Sequence, residues 1–104
     1  MNHDERIEKI KEVLPHGSGI NDRWDIEIKK KTAICKNSYD FMTEHGYYDG
    51  NFPFTVTFTQ TDMKFHFNGL TRSQYKKIER EDLRSYLEET LYEAYKPIKQ
   101  LLKN

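Results

Sequence analysis

The architecture follows from residues 54–67, which read Phe54-Thr55-Val56-Thr57-Phe58-Thr59-Gln60-Thr61-Asp62-Met63-Lys64-Phe65-His66-Phe67. Apolar and polar residues alternate on both sides of the central Gln60-Thr61-Asp62, and this is the period of a strand with one buried face. Asn68-Gly69 then supplies a turn. The pattern predicts an antiparallel hairpin with one apolar face and one polar face.

Two more strands are predicted upstream of this hairpin. Trp24, Ile26 and Ile28 alternate with charged residues, so a first strand runs from Trp24 towards the exposed turn at Lys29-Lys30-Lys31. A second strand covers Thr32 to Tyr39. Residues 43–53 contain two glycines and three aromatic residues, a composition typical of a long loop that is functional or packed by its own side chains.

Helices are predicted at both ends of the chain. Residues 4–14 place apolar side chains at helical spacing until Pro15 ends the helix. A short helical segment is predicted from Ser73, and the main C-terminal helix from Asp82. The apolar stripe of the main helix consists of Leu83, Leu87, Leu91, Ala94, Ile98 and Leu101. Pro97 is expected to kink its last turn.

These elements predict one α+β domain over residues 1–104. Its order is an N-terminal helix, a four-stranded antiparallel meander and a long C-terminal helix. Because a meander of this kind has one apolar face, the helices are expected to lie together on that face.

Composition narrows the classes of function. Seventeen basic and 17 acidic side chains give a net charge of zero, which makes nucleic acid an unlikely partner. The longest apolar runs are far shorter than the about 20 residues of a membrane span, and Met1-Asn2-His3-Asp4-Glu5-Arg6 lacks the apolar segment of a signal peptide. Cys35 has no second cysteine to pair with and is expected in the core or at a strand edge. A reduced, cytoplasmic location is therefore predicted.

Fourteen aromatic residues explain how a chain with a mean hydropathy of −0.95 folds. Trp24 and four phenylalanines (Phe54, Phe58, Phe65 and Phe67) are assigned to the core. The remaining aromatics exceed what one small core accommodates: Tyr39, Tyr47, Tyr48, Phe52, Tyr75, Tyr86, Tyr92 and Tyr95. Some of them are therefore expected at the surface, where tyrosine favours a homo-oligomer interface or a protein-binding surface.

The most unusual segment is Pro15-His16-Gly17-Ser18-Gly19. Two glycines let successive backbone N–H groups converge on an anion, and His16 and Ser18 add side-chain donors. In this interpretation, the aromatic residues expected to stack on a base are Trp24, Tyr47 and Tyr48, and the cations expected to neutralise its charge are Arg23 and Arg72. The alternative is a helix stop followed by a tight turn, since no Walker motif is present.

Catalytic and metal chemistry have little support in the sequence. The four histidines form no His-x-x-x-His pair, so no metal or cofactor is expected. Ser18 lacks the Gly-x-Ser-x-Gly elbow of a serine nucleophile, because His16 stands two residues before it. An enzyme would have to use His16 as a base.

Leu14-Pro15-His16-Gly17-Ser18-Gly19-Ile20 followed by Trp24, with Gly46-Tyr47-Tyr48 and Phe52-Pro53-Phe54-Thr55-Val56, resembles small proteins encoded by bacteriophages and mobile elements. That family has no assigned activity, and the resemblance covers most of the chain. It implies a mobile-element origin, the host bacterial cytoplasm as location and, by association, a role against host defence.

Three hypotheses follow. In the first, a non-enzymatic, homo-oligomeric binding protein sequesters a small nucleotide-like anion at the glycine loop. In the second, the chain is a protein-interaction module that inhibits a host defence protein through exposed tyrosines and the polar strand face. In the third, it is a small hydrolase or nuclease that uses His16.

Overall fold

The computed structural model describes residues 2–42 and 48–103, without the side chains of residues 42, 48 and 49. The helices and strands are α1 (His3–Val13), β1 (Asp25–Lys29), β2 (Thr32–Met42), β3 (Tyr48–Phe58), β4 (Met63–Phe67), α2 (Arg72–Glu81) and α3 (Leu83–Leu102). The four strands pair antiparallel in the order β1-β2-β3-β4. The predicted α+β class and four-stranded meander are confirmed.

The predicted hairpin at residues 54–67 is formed by β3 and β4. Its register places Phe54 opposite Phe67 and Val56 opposite Phe65, so these apolar side chains share one face. Phe54 and Val56 are fully buried. The hydroxyl oxygen of Thr59 closes the turn by accepting the backbone N–H of Asp62 at 3.0 Å.

The loop prediction for residues 43–53 is wrong for residues 48–53, which belong to β3; residues 43–47 lie outside the described part of the chain. The pairing with β2 continues past the hairpin and places Tyr39 opposite Phe52 and Asp40 opposite Asn51. Phe52 is fully buried. Burial of an aromatic side chain and a continued ladder outweigh the weak strand propensity of the glycine and proline in this segment.

Pro53 is tolerated inside β3 because of the direction in which its backbone points. Its carbonyl accepts the backbone N–H of Asn68 at 2.8 Å, so its carbonyl and its nitrogen face the β4 side of the strand. The β3–β4 pairing ends one residue away, at Phe54 opposite Phe67. The missing donor of Pro53 therefore costs no hydrogen bond to β2.

The C-terminal helical region is divided in two. The short segment and the main helix were both expected, but α2 is a full helix, so the order of elements ends in two helices rather than one. Thr71 and Gln74 form a reciprocal capping box at the start of α2. Asp82, in the left-handed conformation (φ 51°, ψ 41°), separates α2 from α3.

The helix α3 is anchored to the hairpin at several points. The ring of Tyr95 stacks on Phe58 with centroids 5.7 Å apart, and its hydroxyl donates to the Thr59 carbonyl at 2.7 Å. The amide of Gln60 donates to the carbonyl of Leu102 at 3.2 Å and satisfies one group at the helix end. The first helix, α1, contacts α3 and β1.

One hydrophobic cluster joins the helices and the sheet. All five aromatics assigned to the core from the sequence are buried: Trp24, Phe54, Phe58, Phe65 and Phe67. Cys35 is also fully buried, opposite Val56, and burial together with the nearby Asp25 raises its pKa to about 12. Among the described residues, no helix is both long enough and apolar enough to cross a membrane.

Candidate functional site

The glycine loop is a tight two-residue turn. Gly17 and Ile20 exchange two backbone hydrogen bonds of 3.0 Å, and Ser18 and Gly19 lie between them. Both central residues have positive φ, 52° at Ser18 and 100° at Gly19, as a type I′ turn requires. The loop is therefore a miniature hairpin with the backbone twist that suits an antiparallel ladder.

This miniature hairpin is attached to the outer half of β2. The backbone N–H of Asp40 donates to the Gly19 carbonyl at 2.7 Å, and the N–H of Asn21 donates to the Ser38 carbonyl at 3.1 Å. The pairing of β1 with β2 ends at Lys36. The turn therefore takes over the edge of β2 where β1 stops.

Glycine is required at position 19 for two reasons. Its φ of 100° is one that other residues rarely adopt. A Cβ atom there would also lie 2.5 Å from Cε2 of Tyr39 and 3.1 Å from the carbonyl oxygen of Asp40. At Gly17, where φ is 84°, a Cβ atom would meet nothing within 4 Å. The close packing of Tyr39 on the turn is thus specific to Gly19.

Trp24 belongs to the core and links the chain that follows the glycine loop to Pro15, which precedes it. Its side chain is 8% exposed and makes an edge contact with Phe54 at a centroid distance of 5.7 Å. The indole N–H donates to the carbonyl of Pro15 at 2.9 Å. This position leaves little ring surface for stacking on a base.

The other predicted ligand-binding residues are spread over two elements. His16, Ser18 and Arg23 are exposed in the loop, and the backbone N–H of Arg23 donates to the side chain of Asn21 at 3.0 Å. Arg72 is exposed at the first position of α2, and no hydrogen bond or ion pair joins it to the loop in the described part of the chain. Tyr47 and the side chain of Tyr48 lie outside the described residues.

The backbone hydrogen bonds of the loop bear on the anion-binding hypothesis. A nest requires several free N–H groups that point at one anion. The N–H groups of Gly17 and Ile20 are instead bonded to carbonyls within the turn. Both glycines fit the tight turn that the sequence left open as the alternative. The N–H groups of Ser18 and Gly19 donate to no group in the described part of the chain, so anion binding at this loop stays a prediction.

The expected surface aromatics lie on the two C-terminal helices. The exposed ones are Tyr75, Tyr86 and Tyr92, at 48%, 42% and 53%. Phe52 and Tyr95, counted in the surplus from the sequence, are buried, and Tyr39 is half-buried against Tyr86 at a centroid distance of 6.2 Å. Among the side chains that the structure describes, some of these aromatics are therefore at the surface as expected, and Phe52 and Tyr95 are not among them.

Tyr92 lies in a shallow depression on α3, which we call the α3 tyrosine surface. Its lining residues are Glu88, Glu89, Thr90, Tyr92 and Glu93. Two of these carboxylates have cationic neighbours on the same helix: Arg84 lies 2.7 Å from Glu88, and Lys96 lies 3.4 Å from Glu93. Glu89 has no ion pair among the described residues. The Lys96 ammonium also lies 6.0 Å from the centroid of the Tyr92 ring. The result is an exposed aromatic ring beside one carboxylate without an ion pair.

The sequence places Tyr92 among the surplus aromatic residues, but the carboxylates that surround it were not predicted. The signal was present, because residues three and four positions apart share a helix face. Glu88 and Glu89 stand four and three residues before Tyr92. Only the structure shows that this face points away from the core, as the exposure of Tyr92 demonstrates.

No group of three potential metal-ligating side chains (His, Cys, Asp or Glu) comes together among residues 2–42 and 48–103. A second shallow depression, of about 420 Å³, lies between α1 and α3. It is lined by Lys9, Glu12, Val13, Pro97, Gln100 and Leu101. Neither depression includes a residue of the glycine loop.

Comparisons with protein-family models, curated proteins and solved structures found no match for this chain.

Proposed function

We propose that this protein is a protein-binding module whose α3 tyrosine surface contacts a basic surface of a partner protein. The observation that carries the proposal is the 53% exposure of Tyr92 within a depression that three glutamates line. Tyrosine is enriched at protein interfaces, where it supplies contact area at a low cost in conformational entropy.

The proposed arrangement places the helices together on the apolar face of the sheet. Three contacts support it: Tyr95 stacks on Phe58, α1 contributes Ile10 to the same hydrophobic cluster, and α3 contacts both β3 and β4. The outer side of α3 then faces solvent, which is where a partner has access to Tyr92.

Charge defines the class of partner. An unpaired carboxylate at Glu89, beside two partly neutralised ones, attracts lysine and arginine side chains. The chain's own Lys96 lies 6.0 Å from the centroid of the Tyr92 ring, so the ring offers a partner contact area rather than a free cation site. The charges accelerate association and orient the partner, whereas the aromatic ring supplies most of the affinity once it is buried. The resemblance to mobile-element proteins makes a host defence protein the expected partner.

A nucleotide-binding role has weaker support. Two N–H groups of the glycine loop are bonded within the turn, and Trp24 is in the core. Calorimetry with a panel of cyclic and linear nucleotides decides between the two roles, and we expect no saturable heat. Saturable binding that His16→Ala or Ser18→Ala abolishes would restore the nucleotide proposal in place of this one.

The proposal is tested by quantitative pull-down from a lysate of the source host with three variants of the immobilised protein. Tyr92→Ala and Glu89→Lys are expected to lose a stoichiometric partner that the unaltered protein retains. Tyr75→Ala is the matched control, because Tyr75 is a similarly exposed tyrosine on a different helix. Circular dichroism confirms that each variant is folded.

Two outcomes count against the α3 tyrosine surface. One is a partner that Tyr92→Ala and Glu89→Lys retain as well as the unaltered protein does. The other is a partner whose purified binding domain carries an acidic contact surface, since the proposed attraction would then be a repulsion.

A further inference from the structure

The edges of the sheet differ in how their unpaired backbone groups are covered. An edge strand presents unpaired N–H and C=O groups, and proteins usually cover them or make them unattractive. On β4, the guanidinium of Arg84 donates to the carbonyl of Phe65 at 2.9 Å and lies 5.7 Å from the centroid of its ring. The same arginine is held by Glu88 at 2.7 Å. One outward carbonyl of the β4 edge is therefore occupied by a positioned side chain.

The exposed half of β2 is closed by backbone instead. Beyond the point where β1 ends, the miniature hairpin of Gly17–Ile20 pairs with Tyr39 and bonds to Asp40. The amide of Asn37 adds a bond of 2.7 Å to the carbonyl of Asn21. Two separate devices thus cover parts of two edges of one small sheet.

The outer edge of β1 has neither device. Within the described part of the chain, no hydrogen bond from another element reaches the outer backbone of Asp25–Lys29. Ile26, on the apolar face of this strand, is only half-buried, whereas Ile28 is 9% exposed. The edge therefore offers both unpaired backbone groups and an incompletely covered apolar side chain.

We propose that two copies of this chain pair through the outer edges of β1, antiparallel, to form one continuous eight-stranded sheet with two-fold symmetry. When the axis passes through Glu27, Asp25 of each copy lies opposite Lys29 of the other, and Ile26 lies opposite Ile28. The strand is thus complementary to itself in charge at both ends and in hydrophobicity between them.

The central position is the one that opposes this pairing, because the two Glu27 side chains face each other. Lys29 lies 3.4 Å from Glu27 on its own strand and also faces Asp25 of the other copy, so its charge is shared between two carboxylates and offsets only part of the repulsion. The strand has only five residues, so the dimer depends on the two charge pairs and the isoleucine contact as well as on the backbone.

The dimer edge and the α3 tyrosine surface are on different elements. Loss of one therefore leaves the other intact, and the two proposals fail separately.

Sedimentation equilibrium on the full chain and its charge variants tests the dimer. Asp25→Lys and Lys29→Asp each place like charges opposite one another twice in the symmetric dimer, and we expect each to raise the dimer Kd about tenfold. The double variant Asp25→Lys/Lys29→Asp restores opposite charges and is expected to recover the dimer to within about threefold. Lys64→Glu, on the far edge strand β4, is the control and leaves the Kd unchanged.

Hydrogen exchange on the unaltered protein provides a second readout that needs no variant. The outward-facing amides of β1 are expected to gain protection as protein concentration rises, whereas those of β4 do not. A protein that remains monomeric up to about 1 mM overturns the proposal. So does a dimer with the same Kd in the unaltered protein and both single-charge variants. Protection of β1 that appears only when another protein is added also overturns it.

Discussion

Two hairpins of this chain, β3–β4 and the miniature hairpin at Gly17–Ile20, contribute to the fold in different ways. The hairpin of β3 and β4 directs Phe54 and Val56 into the core and leaves both fully buried. The miniature hairpin exposes Gly17 and Ser18, buries Ile20 in the core, and contributes backbone to the edge of β2. The glycine-rich one attracts functional interest in the sequence, yet its contacts are those of a structural edge cover. The unusual composition marks an unusual backbone, and a binding role for the loop stays a prediction.

The largest effect on stability is expected within the β3–β4 hairpin, between its buried face and its polar face. Phe54→Ala removes a fully buried ring that contacts Trp24 and Phe65, and we expect a loss of about 3–5 kcal/mol in the free energy of unfolding. Thr57→Ala, on the same strand but the opposite face, is expected to cost less than about 1 kcal/mol. Urea denaturation measures both. Equal losses would show that the apolar face of β3 is not the core that the register indicates.

Thiol labelling compares solvent access in the two regions. Cys35 lies on β2, opposite Val56 of the neighbouring β3, and its pKa of about 12 keeps it protonated at pH 8. We expect Ellman's reagent to label Cys35 about a thousandfold more slowly than a cysteine placed at the exposed turn in the double variant Cys35→Ala/Ser18→Cys. Comparable rates would mean that the sheet opens locally without global unfolding.

Two glycine substitutions separate backbone strain from close packing in the turn. Gly17→Ala introduces only the strain of a positive φ and is expected to cost about 1–2 kcal/mol. Gly19→Ala adds the overlap with Tyr39 and Asp40, for a total of about 3 kcal/mol. Thermal denaturation gives both values. If the two variants are equally stable, Tyr39 moves aside freely and does not anchor the turn.

The smallest expected effect is a gain. Asn-Gly is the preferred pair at the centre of a type I′ turn, so Ser18→Asn is expected to stabilise the protein by about 0.5 kcal/mol. Chemical denaturation resolves this difference when the unaltered protein and the variant are measured in parallel. A loss of stability would indicate that the Ser18 hydroxyl has a role beyond the turn.

Strict alternation made the β3–β4 hairpin predictable from sequence, and the spacing of leucines did the same for α3. The start of β3 was not predictable by the same reasoning, because Gly50 and Pro53 are ordinary signals of a loop. The strand accommodates Pro53 because the β3–β4 pairing ends beside it, and this depends on tertiary structure. The start of α2 could be predicted in part, since Thr71 and Gln74 have the spacing of a capping box.

The candidate site shows the same limit. The glycine loop was identified as an unusual segment, but hydrogen-bond partners on β2 decide what it does, and those lie about 20 residues away along the chain. The tyrosine surplus was visible in composition. Which tyrosines remain exposed depends on packing, as the burial of Tyr95 and the exposure of Tyr92 on adjacent turns of α3 demonstrate.

The contact between α1 and α3 constrains when the native structure can form during synthesis. The β3–β4 hairpin has partners within a few residues, so it can form as soon as it leaves the ribosome. Of the elements described, α1 is synthesised before the strands, and the helix it packs on, Leu83–Leu102, after them. Ile10 therefore lacks its final neighbours while the strands are synthesised, and the native core closes only after α3 is released.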